Sequence, residues 1–402
     1  MFKERIKTHH SAMSDSKKHL LGTGTAGEVL SIANSMDEKN ATIYIHVPFC
    51  KKICSFCNMR RSLQNPTENY AALVIKEIES YAKLVYFKNT TFDAVYFGGG
   101  TPTTLSADDL CRILETLKAN FKFTEDAEFT IETTVTELDE EKMAAVIACG
   151  VNRFSVGVQT FDEEGRRKMG RIGSGDAAYE RLRQLKSYEG VTVSMDLIYN
   201  YPKQSMESLE ADLDKIIELD LDGFSMYSLI NMKSTSIDAA QNEENDEKMF
   251  FFIAEKMKKH GYHFLELTKM VKRDKYKYIM NRHQGADTLP LGAGAGGSVN
   301  GLALMNPIVL AEYEASIGDM EKKQGMLFAP EYREVTRFKG ALQTIHLPEN
   351  ETLYRDKPQY EAFREELLTE GMIEEDGSMR YRLTEKGIFW GNTISRRLAE
   401  MI

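Results

Sequence analysis

Cys50, Cys54 and Cys57 stand in the run Tyr44-Ile45-His46-Val47-Pro48-Phe49-Cys50-Lys51-Lys52-Ile53-Cys54-Ser55-Phe56-Cys57. The spacing is C-x-x-x-C-x-x-C, and it follows an apolar stretch that reads as a strand. Thiolates this close in sequence wrap one soft metal centre. An iron–sulfur cube ordinarily takes four cysteines. Three leave one iron open to a small molecule, and S-adenosylmethionine (SAM), with its amino and carboxylate groups, suits that place and supports radical chemistry. Two plainer readings compete. Cysteine is often only a small buried hydrophobe, and zinc normally takes four ligands, such as two C-x-x-C pairs. No second pair exists: Cys111 and Cys149 are isolated and read as structural.

The elements that must position this loop follow a rhythm from Ala41 onward: a short apolar run, then a longer amphipathic stretch. Strands are expected at Ile43–Val47, Ala94–Phe97, Phe129–Thr133, Arg153–Val158, Val191–Ile198 and Gly223–Leu229. Helices are expected at Tyr70–Val85, Ala107–Asn120, Asp139–Cys149, Ala177–Tyr188 and Met206–Glu218. Alternating strand and helix implies a parallel sheet with right-handed crossovers. The expected fold is α/β, a partial (β/α)6 barrel. Two nucleotide-binding half-sheets are the rival, but no G-x-G-x-x-G opens the first helix.

A barrel places its active site at the C-terminal ends of the strands, and the unusual residues fall there. The cysteine loop follows the first strand, and Gly98-Gly99-Gly100-Thr101-Pro102 the second. Glu132, Gln159, Asp196 and Tyr227 lie late in the third to sixth. A later run, Leu291–Ser298, holds Gly294 among four glycines and reads either as a plain turn or as a close approach of backbone to ligand.

The chain has 402 residues, 42% of them hydrophobic, and a net charge of −10, which speaks against nucleic acid as the main partner. Three domains are expected: an N-terminal arm (1–40), the barrel (41–300) and a C-terminal winged-helix-like α+β module (301–402). In the last, the helical Tyr360–Glu370, the hairpin signal around Asp376-Gly377-Ser378 and the helical Thr384–Leu398 follow one another. Glu365, Glu366, Glu374 and Glu375 make a phosphate-facing surface a poor reading, so a lid or docking element is expected instead. The start of the chain lacks a signal peptide's apolar core, no run is long enough to span a membrane, and the cysteines show no paired framework, so a cytoplasmic location is expected.

Together these residues resemble the radical SAM enzymes, in the branch of the oxygen-independent coproporphyrinogen dehydrogenases. The likeness covers about Thr42 to Val299 and rests on Tyr44, His46-Val47-Pro48-Phe49-Cys50 and Ser155-Val156-Gly157-Val158-Gln159-Thr160-Phe161. It implies that Cys50, Cys54 and Cys57 hold a [4Fe-4S] cluster whose open iron binds SAM. It further implies that Tyr44, Phe56, Gly98, Gly99, Gly100, Thr101, Glu132, Gln159, Arg171 and Asp196 contact the cofactors, with two SAM molecules expected. Each of these residues has a plainer reading, as a helix cap, an ion-pair partner or core. A flavodoxin- or ferredoxin-type protein is the implied electron donor.

Within the branch, the coproporphyrinogen dehydrogenases carry a fourth cysteine two residues after the third, where this chain has Met59. The heme-chaperone members carry H-N-x-x-Y-W, which is absent here. Gly98–Thr104, Asn152–Phe161, Asn281–Gly297 and Leu383–Asn392 resemble a third subgroup, the heme-utilisation methyltransferases or anaerobilin synthases. That likeness implies heme as substrate, methylated and opened without oxygen to a linear tetrapyrrole with release of iron. A coproporphyrinogen-type decarboxylase and a non-catalytic heme chaperone are the alternatives. Departures from the subgroup are Asn58–Ser62, Asn200–Gln204 and Asn231–Ser236. Arg60 and Arg61 are candidates to pair with heme propionates, with Tyr227 and Gly294 as further substrate contacts. His260, His263 and His283 are the candidate iron ligands, with His9, His10 and His19 behind them.

Overall fold

The apolar runs of the first half of the chain become neighbouring strands, because strands buried on both faces by crossover helices need apolar side chains throughout. The computed structural model describes residues 2–7, 16–32, 41–64, 66–230, 235–237, 243–348, 357–377 and 380–401. His9, His10, Asn231–Ser234 and Met379 lie outside the described residues. In chain order the elements are β1 (Leu20–Thr25), α1 (Ala26–Leu30), β2 (Ala41–Val47), α2 (Tyr70–Ala82), α3 (Val85–Lys88), β3 (Thr91–Gly99), α4 (Ala107–Asn120) and β4 (Lys122–Thr134). Next come α5 (Glu140–Ala148), β5 (Arg153–Gln159), α6 (Glu163–Lys168), α7 (Gly175–Lys186), β6 (Thr192–Tyr199), α8 (Met206–Glu218) and β7 (Gly223–Ser228). Then follow α9 (Glu243–Lys259), β8 (His263–Glu266), β9 (Lys269–Val271), α10 (Lys277–His283), β10 (Thr288–Leu291), β11 (Gly296–Val299), β12 (Leu302–Met305), α11 (Leu310–Ser316), β13 (Gln324–Phe328) and α12 (Tyr332–Gln343).

Among the described residues, nine strands form the main sheet in the order β10-β2-β3-β4-β5-β6-β7-β9-β8. It is parallel from β10 to β7, after which β9 and β8 run antiparallel. The edge strands β10 and β8 are not paired with each other, so the barrel is partial. Ser106, Asp139, Asp162, Ser174 and Ser205 each accept a backbone N–H at the start of a crossover helix, which fixes where α4 to α8 begin.

Several expectations are corrected. The helix expected at Tyr70–Val85 stops at Ala82, and α3 begins afresh at Val85. The last helix is two, Glu385–Phe389 and Gly391–Ala399, broken at Trp390. The 1–40 stretch is not merely an arm. Its Leu20–Thr25 pairs antiparallel with β13 in a second sheet, β1-β13-β12-β11. The expected boundary at residue 300 falls in the turn between β11 and β12, so that sheet draws strands from all three expected domains. Cys111 and Cys149, 38 residues apart, are not isolated. They form a disulfide, because the successive helices α4 and α5 lie side by side. The C-terminal helix (Pro358–Thr369), hairpin (Ile373–Glu375 with Tyr381–Leu383) and closing helices do occur in that order.

Candidate active site

Cys50 follows β2 by three residues, and its loop is closed at the base. Cys50 N–H donates to the Ser62 carbonyl (2.9 Å), and Ser62 N–H to the Pro48 carbonyl (2.7 Å). Ser55 fastens the far side, its N–H donating to the Met169 carbonyl (3.2 Å) and its hydroxyl to that of Lys168 (2.8 Å). Cys50, Cys54 and Cys57 are free thiols, partly exposed, and all three line one cavity of about 1070 Å³. Burial pushes the Cys50 thiol up, partly offset by the Thr101 hydroxyl beside it (3.7 Å). Among the described residues no three His, Cys, Asp or Glu side chains converge on a single-ion site.

The glycine run after β3 docks on this loop: Gly100 N–H donates to the Val47 carbonyl and Thr101 N–H to that of Phe49, both at 2.8 Å. Gly99 has φ +114°, and a Cβ there would meet the His46 ring at 2.6 Å. A Cβ at Gly100 would meet the Phe49 carbonyl at 2.6 Å. Only glycine allows this approach. His46 itself is committed. Burial lowers its pKa and keeps it neutral, so Nε2–H donates to the Arg60 carbonyl (3.0 Å) and Nδ1 accepts from the Tyr44 hydroxyl (2.9 Å).

The strand-end residues meet in the same cavity. Glu132, Gln159, Asp196, Arg171, Phe56, Gly99, Gly100, Thr101, Tyr227 and Arg61 line it with the cysteines. Tyr44, Gly98, Arg60 and Gly294 do not. Tyr44 lies behind Gly98, and Gly294 packs near His46 and Ile308. Arg61 is turned back onto its own loop, donating to the carbonyls of Met59 and Cys57 (both 2.6 Å), and Arg60 reaches the Met305 sulfur (2.8 Å). Arg61 thus serves carbonyls of its own loop while its side chain still lines the cavity. Arg171 donates to the Cys54 sulfur (3.1 Å) and to the Gly157 carbonyl. His283 lines the cavity, whereas His260 and His263 are exposed.

Burial lifts the Glu132 carboxyl to about 7, against hydrogen bonds from the Tyr96 hydroxyl (2.6 Å) and Gly99 N–H (3.3 Å), with Asp196 pushing the same way as burial. Burial also raises Asp196, opposed by Lys269 and the Ser225 hydroxyl. Unfolded, Glu132 ionises near 4.5. Between there and about 7 the folded chain keeps a proton that the unfolded chain has released, so stability falls as pH rises through that window. Glu132→Gln is expected to stabilise the cluster-free chain by on the order of 2 kcal/mol at pH 8 and hardly at all at pH 4.5. Urea unfolding at both pH values measures this, and equal effects at the two would exclude the carboxyl as the cause.

The sequence reading missed Glu77. It is fully buried on α2 and accepts from Gly292 N–H (2.8 Å), the Tyr313 hydroxyl (2.7 Å), Asn306 (2.9 Å) and Lys323 (2.5 Å). Tyr70 joins it, donating to the His46 carbonyl (2.6 Å) and accepting from Ala293 N–H (3.1 Å). The signal was readable: Glu77 lies on the stripe Tyr70, Val74, Ile78, Tyr81 that is otherwise apolar. Also missed were the chain ends. Arg5, Lys7, Ile388, Phe389, Asn392 and Ser395 line the cavity, with Arg5 stacked over Phe389 at 3.7 Å and paired with the buried Asp246 (2.6 Å).

The family model of the radical SAM superfamily matches residues 44–216. Over 392 residues the chain is 31% identical to the anaerobilin synthase of Escherichia coli O157:H7, covering 92% of this chain and 86% of that one. The chain belongs to the radical SAM superfamily. As a radical SAM protein it uses a [4Fe-4S] cluster and SAM, and the residues present fit both. Three thiols stand free at the cavity, and Gln159 Oε1 and Arg171 Nε, which line it too, are buried without a hydrogen-bond partner. This radical SAM chain is also 27% identical to the heme chaperone HemW of Lactococcus lactis, over 89% of this chain and 97% of that one. Its fold matches the solved coproporphyrinogen III oxidase (HemN) of Escherichia coli, with a TM-score of 0.75, 22% identity and 92% of each chain covered. Among the described residues, no helix is long and apolar enough to cross a membrane.

Proposed function

We propose that this chain is a C-methyltransferase that opens heme to a methylated linear tetrapyrrole and frees its iron without oxygen. The observation that carries the reading is the end-to-end likeness to an anaerobilin synthase. The cavity supports it, since about 1070 Å³ lies at the upper end of the ~300–1,000 Å³ usual for small-molecule sites and suits a large substrate beside a cofactor. Met59 in place of a further cysteine favours it over coproporphyrinogen decarboxylation. When bound, the cluster and SAM supply one-electron cleavage of a sulfonium C–S bond and a transferable methyl group. Cys50, Cys54 and Cys57 would hold the cluster. Gly98–Thr101, Glu132, Gln159, Arg171 and Asp196 would hold SAM, with room for a second molecule. Tyr44 and Phe56 would pack around this cofactor site, and Tyr227 would face the substrate. The N-terminal residues and the C-terminal module would act as a lid that keeps out water. A flavodoxin- or ferredoxin-type protein would supply electrons, in the cytoplasm.

Anaerobic reconstitution followed by reductant, SAM and heme tests the reading. Loss of the Soret band with a methylated linear tetrapyrrole by mass spectrometry is the expected result. Heme bound intact, with SAM cleaved only slowly, would overturn it and favour a chaperone, as the HemW likeness over 97% of that relative suggests.

A further inference from the structure

Glu266 ends β8, one edge of the open sheet, and His283 ends α10, which leads into β10 at the other edge. The two side chains meet across that opening, Nε2 to Oε1 at 2.6 Å, and both line the cavity. The His283 side chain is 22% exposed and that of Glu266 12%. A carboxylate only accepts, so Nε2 carries the hydrogen, and in the neutral imidazole Nδ1 keeps its lone pair. Nδ1 makes no hydrogen bond among the described residues. No other described histidine lines this cavity, and His46 already uses both nitrogens. The backbone of His283 is pinned as well, because a Cβ on Gly340 of α12 would run into its carbonyl. Arg282 of α10 and Lys339 of α12 line the same cavity.

We propose that His283 Nδ1 ligates the iron of the substrate heme, with Glu266 fixing the imidazole's tautomer and angle. The inference rests on heme being the substrate. A metal-bound imidazole characteristically donates its other N–H to a carboxylate, and imidazole is a common axial ligand of heme iron. The competing explanation is a staple that only holds β8 to α10.

Ferric heme titrated anaerobically into the cluster-loaded full chain, without SAM, separates the two. Absorption and electron paramagnetic resonance report the ligand. Wild type is expected to show a nitrogen-ligated heme, lost in His283→Ala and restored by millimolar imidazole. Glu266→Gln is expected to keep the ligand but bind heme about 10-fold more weakly, while affinity for metal-free protoporphyrin stays unchanged in both variants. The same heme spectrum in wild type and His283→Ala would overturn the assignment. So would equal loss of heme and metal-free porphyrin binding in both variants, the mark of a staple. If wild type binds no heme at all, the substrate reading fails, and this inference with it.

Discussion

Alanine at any one of Cys50, Cys54 or Cys57 is expected to leave a folded chain that retains little iron and has lost turnover by on the order of 10³-fold or more, above about 4 kcal/mol of barrier. Folding should survive because the three side chains are partly exposed and support no core, while the loop is closed by backbone hydrogen bonds that the substitution leaves in place. Loading should not survive, because three thiolates are already one fewer than a cube usually takes. Iron and sulfide per chain, the visible absorption of the reconstituted protein and far-ultraviolet circular dichroism measure the three parts separately. Cys111→Ala is the control, since its sulfur lies in the α4–α5 disulfide away from the cavity, and its iron content should match wild type. A Cys54→Ala protein with full iron content would remove the cluster assignment at that position.

Removal of the Asp274 carboxylate is expected to be the most damaging change to stability. Its two oxygens accept from Arg153 Nε (2.9 Å) and Nη2 (2.8 Å), and Lys269 Nζ lies 3.3 Å away, all at 3% exposure or less. Burial opposes ionisation, yet Arg153 and Lys269 outweigh it and hold the carboxyl well below its usual range. Asp274→Ala strands two cations inside the barrel, at a cost of about 3–5 kcal/mol. Because the folded pKa is depressed, the carboxylate's contribution is present above its unfolded value near 3.8 and is lost as pH falls below it. Urea denaturation at pH 7 measures the loss. A change below about 1 kcal/mol would mean that Glu128, 3.8 Å from Arg153, takes over as counter-ion.

The barrel was legible because each strand is buried on both faces and so appears as an apolar run, and because the first residues after the strands are constrained by chemistry rather than by packing. Ala107–Asn120 and Met206–Glu218 have the expected bounds, set by Ser106 and Ser205 as caps. Illegible were the contacts that join distant parts of the chain. Leu20–Thr25 has neither alternation nor a β-branched run, and becomes a strand only because β13 presents an edge. β10 carries Pro290, which argues against a strand, yet it pairs with β2 at an edge of the sheet, where proline is tolerated. Glu266 is unremarkable in sequence, and only the opening between β8 and β10 sets it against His283. The charge of Arg60 and Arg61 was visible too, but not the carbonyls of the cysteine loop that engage Arg61.

The Glu77 hub has a bearing on how the chain is made. The loop that covers the His46 side of the cysteine segment begins at Gly292, 235 residues after Cys57, and Glu77 is complete only when Tyr313 and Lys323 arrive. At the usual ~5–20 residues per second of synthesis, the thiols leave the ribosome roughly 10–50 s before their cover does. Every newly made chain therefore passes through a stage in which the cysteine loop is open to iron and sulfide donors, and oxidants, on a side that the finished protein closes.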